Sequence, residues 1–126
     1  MATEGCPVYL LFADESGTHG GSHALVIGGL AVHEQDVQAL QRALDRCVAQ
    51  PLKLGDVDDY ELHATELRNA KSGPGRPPSP WSFIDRARRL AILESAYQVI
   101  DTFQPCTPDL PLALFGVILD RRFHSE

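Results

Sequence analysis

Two acidic positions stand directly after apolar runs: Asp14, with Glu15 beside it, follows Val8–Ala13 (VYLLFA), and Asp120 follows Leu112–Leu119 (LALFGVIL). A carboxylate just outside a buried strand is held by a rigid element at little desolvation cost, and its hard oxygens suit a divalent cation. In α/β sheets the carboxyl ends of strands are also where ligands bind. Their common position predicts that the carboxylates of Asp14 and Asp120 share one end of a sheet, within about 8 Å of each other. The same residues have a plainer use, because strands end in Asp to start a turn or cap a helix, and Asp-Glu-Ser-Gly at 14–17 is ordinary turn chemistry.

A second group is Glu61-Leu62-His63-Ala64-Thr65-Glu66. In an extended segment Glu61 and His63 point to one face; in a helix His63 and Glu66 lie three apart on one face. Either way a carboxylate and an imidazole converge, a pair that can hold a metal, relay protons or simply form a surface hydrogen bond. The reversed order relative to HExxH, with no second His nearby and no Cys partner, argues against a zinc protease or deaminase. The loop Gly17-Thr18-His19-Gly20-Gly21 could form a backbone nest for phosphate. It lacks the GK[ST] of a P-loop and does not lead into a helix, so it reads first as a hairpin connection. No GxSxG occurs, and no Ser or Cys carries the signature of a catalytic triad.

The elements that must position these groups follow from periodicity. Val8–Ala13 reads as a central strand covered on both faces, and Ala24–Val32 (ALVIGGLAV) as its neighbour, with Gly28-Gly29 marking a bulge or a close backbone approach. Val37, Leu40, Leu44 and Cys47/Val48 recur at helical spacing, with Glu34, Asp36, Gln38, Gln41, Arg42, Asp45 and Arg46 in the polar positions; this helix should end before Pro51. Residues 51–70 have no clean period. The loop 71–80, rich in Pro and Gly, is irregular. Ser79 and Pro80 then predict the start of a long helix running to about Phe103, with Phe83, Ala87, Leu90, Leu93, Tyr97 and Ile100 as its apolar stripe. The third apolar run supplies the last strand. Three strands make a thin sheet, as expected either of the N-terminal part of a larger domain or of a chain whose sheet edge a second copy or another partner covers.

The whole chain has 126 residues, 44% of them hydrophobic and 22% charged. That is one domain's worth, 1–126, which would bury roughly two-thirds of its unfolded surface. Such a composition excludes an intrinsically disordered chain, a collagen-like repeat and a coiled coil. Seventeen acids against eleven Lys and Arg give a net charge of -6, so a polyanion would need a local basic patch or bound metal ions. Apolar runs far shorter than the roughly 20 residues of a membrane span, and no Lys/Arg-led signal peptide, point to a cytoplasmic protein with no membrane partner. Cys6, Cys47 and Cys106 are widely spaced, with no CxxC pair, and read as reduced thiols.

Taken together, VYLLFADESGTHGGSHALVIGGLAV, a helix, ELHATEL, a second helix and LFGVILDRR resemble the domain-of-unknown-function family numbered 3800, over about residues 8–122. That family is similar to the ribonuclease H-like superfamily, and its members are generally expected to be metal-dependent nucleases, some near mobile-element or phage-defence genes. The resemblance implies an α/β fold, a ribonuclease H-like mixed sheet flanked by helices. It implies Mg²⁺ or Mn²⁺ held by Asp14, Glu15, Glu61 and Asp120, with Asp14, Glu61, Asp120 and His63 as catalytic groups and DNA or RNA as partner. Glu15 and His63 match motif positions without a settled role. Family members carry a further acidic residue in an LQxAD-like segment, which is not found in these 126 residues, so the implied carboxylate set is incomplete within them. Two-metal phosphodiester hydrolysis needs several carboxylates of this kind, and Lys71, Arg76, Arg86, Arg88, Arg89, Arg121 and Arg122 are the candidates for backbone-phosphate contacts. A non-catalytic interaction module with an incomplete site, and a hydrolase acting on nucleotides or other phosphate esters, are the alternatives.

Overall fold

The computed structural model describes residues 5–18, 21–70, 75, 77–120 and 122. It is a mixed α/β structure in which the chain forms two compact units, one made of Met1–Val37 with Gln104–Glu126, the other of Gln38–Phe103. No helix among the described residues is long and apolar enough to cross a membrane.

The first unit is a three-stranded sheet of β1 (Tyr9–Ser16), β2 (Ala24–His33) and β3 (Ala113–Asp120), in the order β1-β2-β3. Both pairings are antiparallel, so among the described residues the sheet is antiparallel throughout rather than mixed. β1 and β2 form a hairpin, because Gly17 adopts a φ of +84° in a position where a side chain would collide with the Ala24 carbonyl oxygen. The register runs without interruption past Gly28 and Gly29, so the glycine pair makes no bulge. Gly29 instead leaves room for the Phe115 ring, which lies where its side chain would be.

β1 is an edge strand and is exposed along its whole length, not a covered central strand as its apolar run implies. β3 is the other edge and is almost equally exposed. Period-two alternation puts Leu10, Phe12, Leu114 and Ile118 on one face and Tyr9, Leu11, Phe115, Val117 and Leu119 on the other, and all nine are exposed.

Past the end of β2, a 3₁₀ turn (Glu34–Asp36) leads into the long first helix, α1 (Val37–Leu52). The helix runs through Pro51 instead of stopping before it. It closes with Lys53 at φ 54°, Lys53 N–H donating to the Gln50 carbonyl at 3.4 Å and Leu54 N–H to the Ala49 carbonyl at 3.0 Å. This is a Schellman cap, with a lysine in the left-handed position that glycine usually takes.

The second unit contains most of α1, the short α2 (Ala64–Asn69), a 3₁₀ turn (Pro80–Phe83) and α3 (Arg86–Thr102). Ser79 caps the 3₁₀ turn only, accepting from the Trp81 N–H at 3.3 Å. Ile84 is extended, and Asp85 starts α3 as a new N-cap, accepting from the Arg88 N–H at 2.9 Å. Two capping signals six residues apart thus divide what the periodicity treats as one helix. The break also turns the buried face: Arg89, Ile92, Leu93 and Ala96 are buried, whereas Phe83 and Tyr97 are exposed. The core of this unit is Trp81 with Val48, Leu67, Ile92 and Leu93.

Candidate functional site

The sheet register positions the strand-end acids. Asp14 pairs with Gly28, which pairs with Gly116, while Asp120 pairs with Ala24. Because side chains alternate along each strand and partners share a face, Asp14 and Asp120 project from the same face, toward the same end of the sheet. They are four residues out of step and two strands apart. That is about 13 Å along the strands and about 10 Å across them, or about 16 Å between Cα atoms. The expected spacing of about 8 Å is therefore not met, because register, which no strand's own pattern specifies, sets the offset.

The surroundings of the two carboxylates differ. Asp14 is exposed, and one of its oxygens accepts the Glu15 N–H at 2.8 Å. Beside it the row Asp14–Gly28–Gly116 carries no other side chain, and a Cβ built on either glycine would meet nothing nearer than a backbone carbonyl at 3.9 Å. Asp14 thus stands beside a strip of strand surface that carries no side chain. Asp120 is engaged by Arg122, whose Nη2 donates to Oδ2 at 2.6 Å and whose Nε donates to Oδ1 at 3.0 Å; the Arg122 backbone N–H adds a third bond at 3.0 Å. Glu15, next to Asp14 in a strand, projects from the opposite face. The two side chains therefore cannot close on one ion from the same side of the sheet.

Glu61 and His63 belong to the helical unit. His63 is the N-cap of α2 and makes no side-chain cap bond, while its N–H donates to the Glu61 carbonyl at 2.9 Å. The Glu61 backbone is fixed a second time by the Trp81 indole, whose Nε1 donates to the same carbonyl at 2.8 Å. Both side chains are exposed. Glu66, three residues after His63 in the first turn of α2, accepts the Ser79 hydroxyl at 2.9 Å. Among the described residues no group of three or more His, Cys, Asp or Glu side chains gathers as a metal-ligand set.

Of the candidate phosphate contacts, Lys71, Arg76 and Arg121 lie outside the described residues, as do His19 and Gly20 of the proposed nest. Arg88 is 3.7 Å from the Asp85 carboxylate and Arg122 holds Asp120. Arg89 is turned inward at 9% exposure, with Nη1 donating to the Glu66 carbonyl at 3.3 Å. Arg86 is exposed at the start of α3.

A polar arrangement that periodicity assigns to a solvated helix face lies at the other end of β2. Asp36 is 1% exposed and accepts the Cys106 N–H at 2.9 Å, joining the turn after β2 to the segment before β3. The Cys106 thiol, then its N–H, hold the Asp36 carboxyl below the usual carboxylate range against the opposing effect of burial, with a smaller contribution from His33. The carboxylate in return pushes the Cys106 thiol up, which makes it a poor nucleophile. His33, 5% exposed, packs edge-on to Tyr9 and accepts the Gln35 N–H through Nδ1 at 3.4 Å. In the sequence, a carboxylate 70 residues from its partner leaves no local signal. Comparison with family models, with curated proteins and with solved structures finds no match to this chain.

Proposed function

We propose that this chain is a ribonuclease H-like domain, similar to the domain-of-unknown-function family numbered 3800, that serves divalent-metal-dependent hydrolysis of phosphodiester bonds in DNA or RNA. The observation that carries the reading is Asp14 at the side-chain-free Gly28–Gly116 row, on the same face as Asp120. A hard oxygen donor on a rigid strand beside open backbone is what a hydrated Mg²⁺ or Mn²⁺ and a phosphate need on one side. The described residues fit only part of such a centre, since no three metal-ligating side chains gather among them. Glu61 and His63, which the family resemblance adds as metal ligand and catalytic group, lie in the helical unit, with exposed side chains on a doubly fixed backbone.

The test is cleavage of single-stranded DNA, duplex DNA, RNA and RNA–DNA hybrid with Mg²⁺ or Mn²⁺, with and without EDTA, by the natural chain and by Asp14→Asn. The expected outcome is chelator-sensitive cleavage that Asp14→Asn abolishes, with the unfolding midpoint unchanged, since the carboxamide keeps the acceptor for the Glu15 N–H and loses only the charge. Full activity in Asp14→Asn, or indifference to EDTA, overturns the assignment. A second reading, a nuclease-derived interaction module without catalysis, draws support from the Arg122 clamp on Asp120 and from the apolar side chains exposed on both sheet faces, which suit a second copy or another partner. Binding of nucleic acid or protein without cleavage of any of the four substrates favours it.

A further inference from the structure

We draw no further inference here: the strongest candidate, the exposed apolar side chains on both faces of the three-stranded sheet around Leu11, Phe12, Leu114 and Ile118, carries nothing because nothing in the structure shows what covers it.

Discussion

Trp81 and Ile118 are both large apolar residues, yet the first is 1% exposed and the second 72%. Trp81 sits in the helical unit, ringed by Val48, Leu67, Ile92 and Leu93, its indole edge-on to Tyr60 at 5.2 Å and its N–H satisfied by the Glu61 carbonyl. Ile118 stands on an edge strand of the sheet unit, whose order rests on two unbroken antiparallel ladders more than on side-chain burial. An apolar pattern says that a residue is built to be buried, and it does not say that its own chain supplies the cover. The helical unit closes its core with four segments of its own sequence. In the sheet unit the burial that can be seen is concentrated where β2 ends, at Val32, His33 and Asp36.

The contrast is broken most forcefully at Trp81. Trp81→Ala should cost about 3–5 kcal/mol, because it empties the centre of the helical core and also removes the donor to Glu61. Urea unfolding followed by far-UV circular dichroism measures it. A loss below about 1 kcal/mol would mean that the helical unit does not depend on this core.

Asp36 is the next largest. Asp36→Asn should cost about 1–3 kcal/mol by weakening a buried link to Cys106. It should also change the pH profile. The carboxyl titrates lower in the folded chain than in the unfolded one, so its stabilising effect is complete above about pH 4 and is lost as the pH falls through the lower, folded value. The natural chain should therefore lose stability on acidification below about pH 4 more steeply than Asp36→Asn, as thermal unfolding across pH 2–7 would record. Parallel profiles for the two would remove Asp36 from the account.

On the sheet, Leu114→Thr with Ile118→Thr should shift stability by no more than about 0.5 kcal/mol per site, since both side chains are mostly in water already. The same pair should reduce fluorescence of the apolar dye ANS on binding. A stability loss of core size would show that these residues are covered in solution. The smallest effect is expected from Arg122→Ala, which releases Asp120 from an exposed ion pair and should leave the unfolding midpoint where it was. If Asp120 serves the proposed chemistry, the same substitution should alter Mg²⁺ or Mn²⁺ dependence while stability stays constant.

What the sequence determines by itself is local. Continuous apolar runs place the second and third strands to within a residue of their observed bounds and the first to within three, since β1 runs on through the polar Asp14–Ser16; the 3.6-residue period finds α1, and Gly17 is where the hairpin needs a left-handed residue, because each depends on backbone sterics and near-neighbour patterning. The division at Ile84–Asp85 is also encoded locally, but two caps compete there and only the folded chain ranks them. Tertiary structure alone decided three things: that β1 is an edge, that Asp14 and Asp120 share a face four residues out of step, and that Asp36 and Arg89 turn inward while Phe83 turns out. Register and burial are properties of pairs of segments brought together from far apart in the chain, and the free energy that selects them is shared between partners, so neither segment's own residues record it.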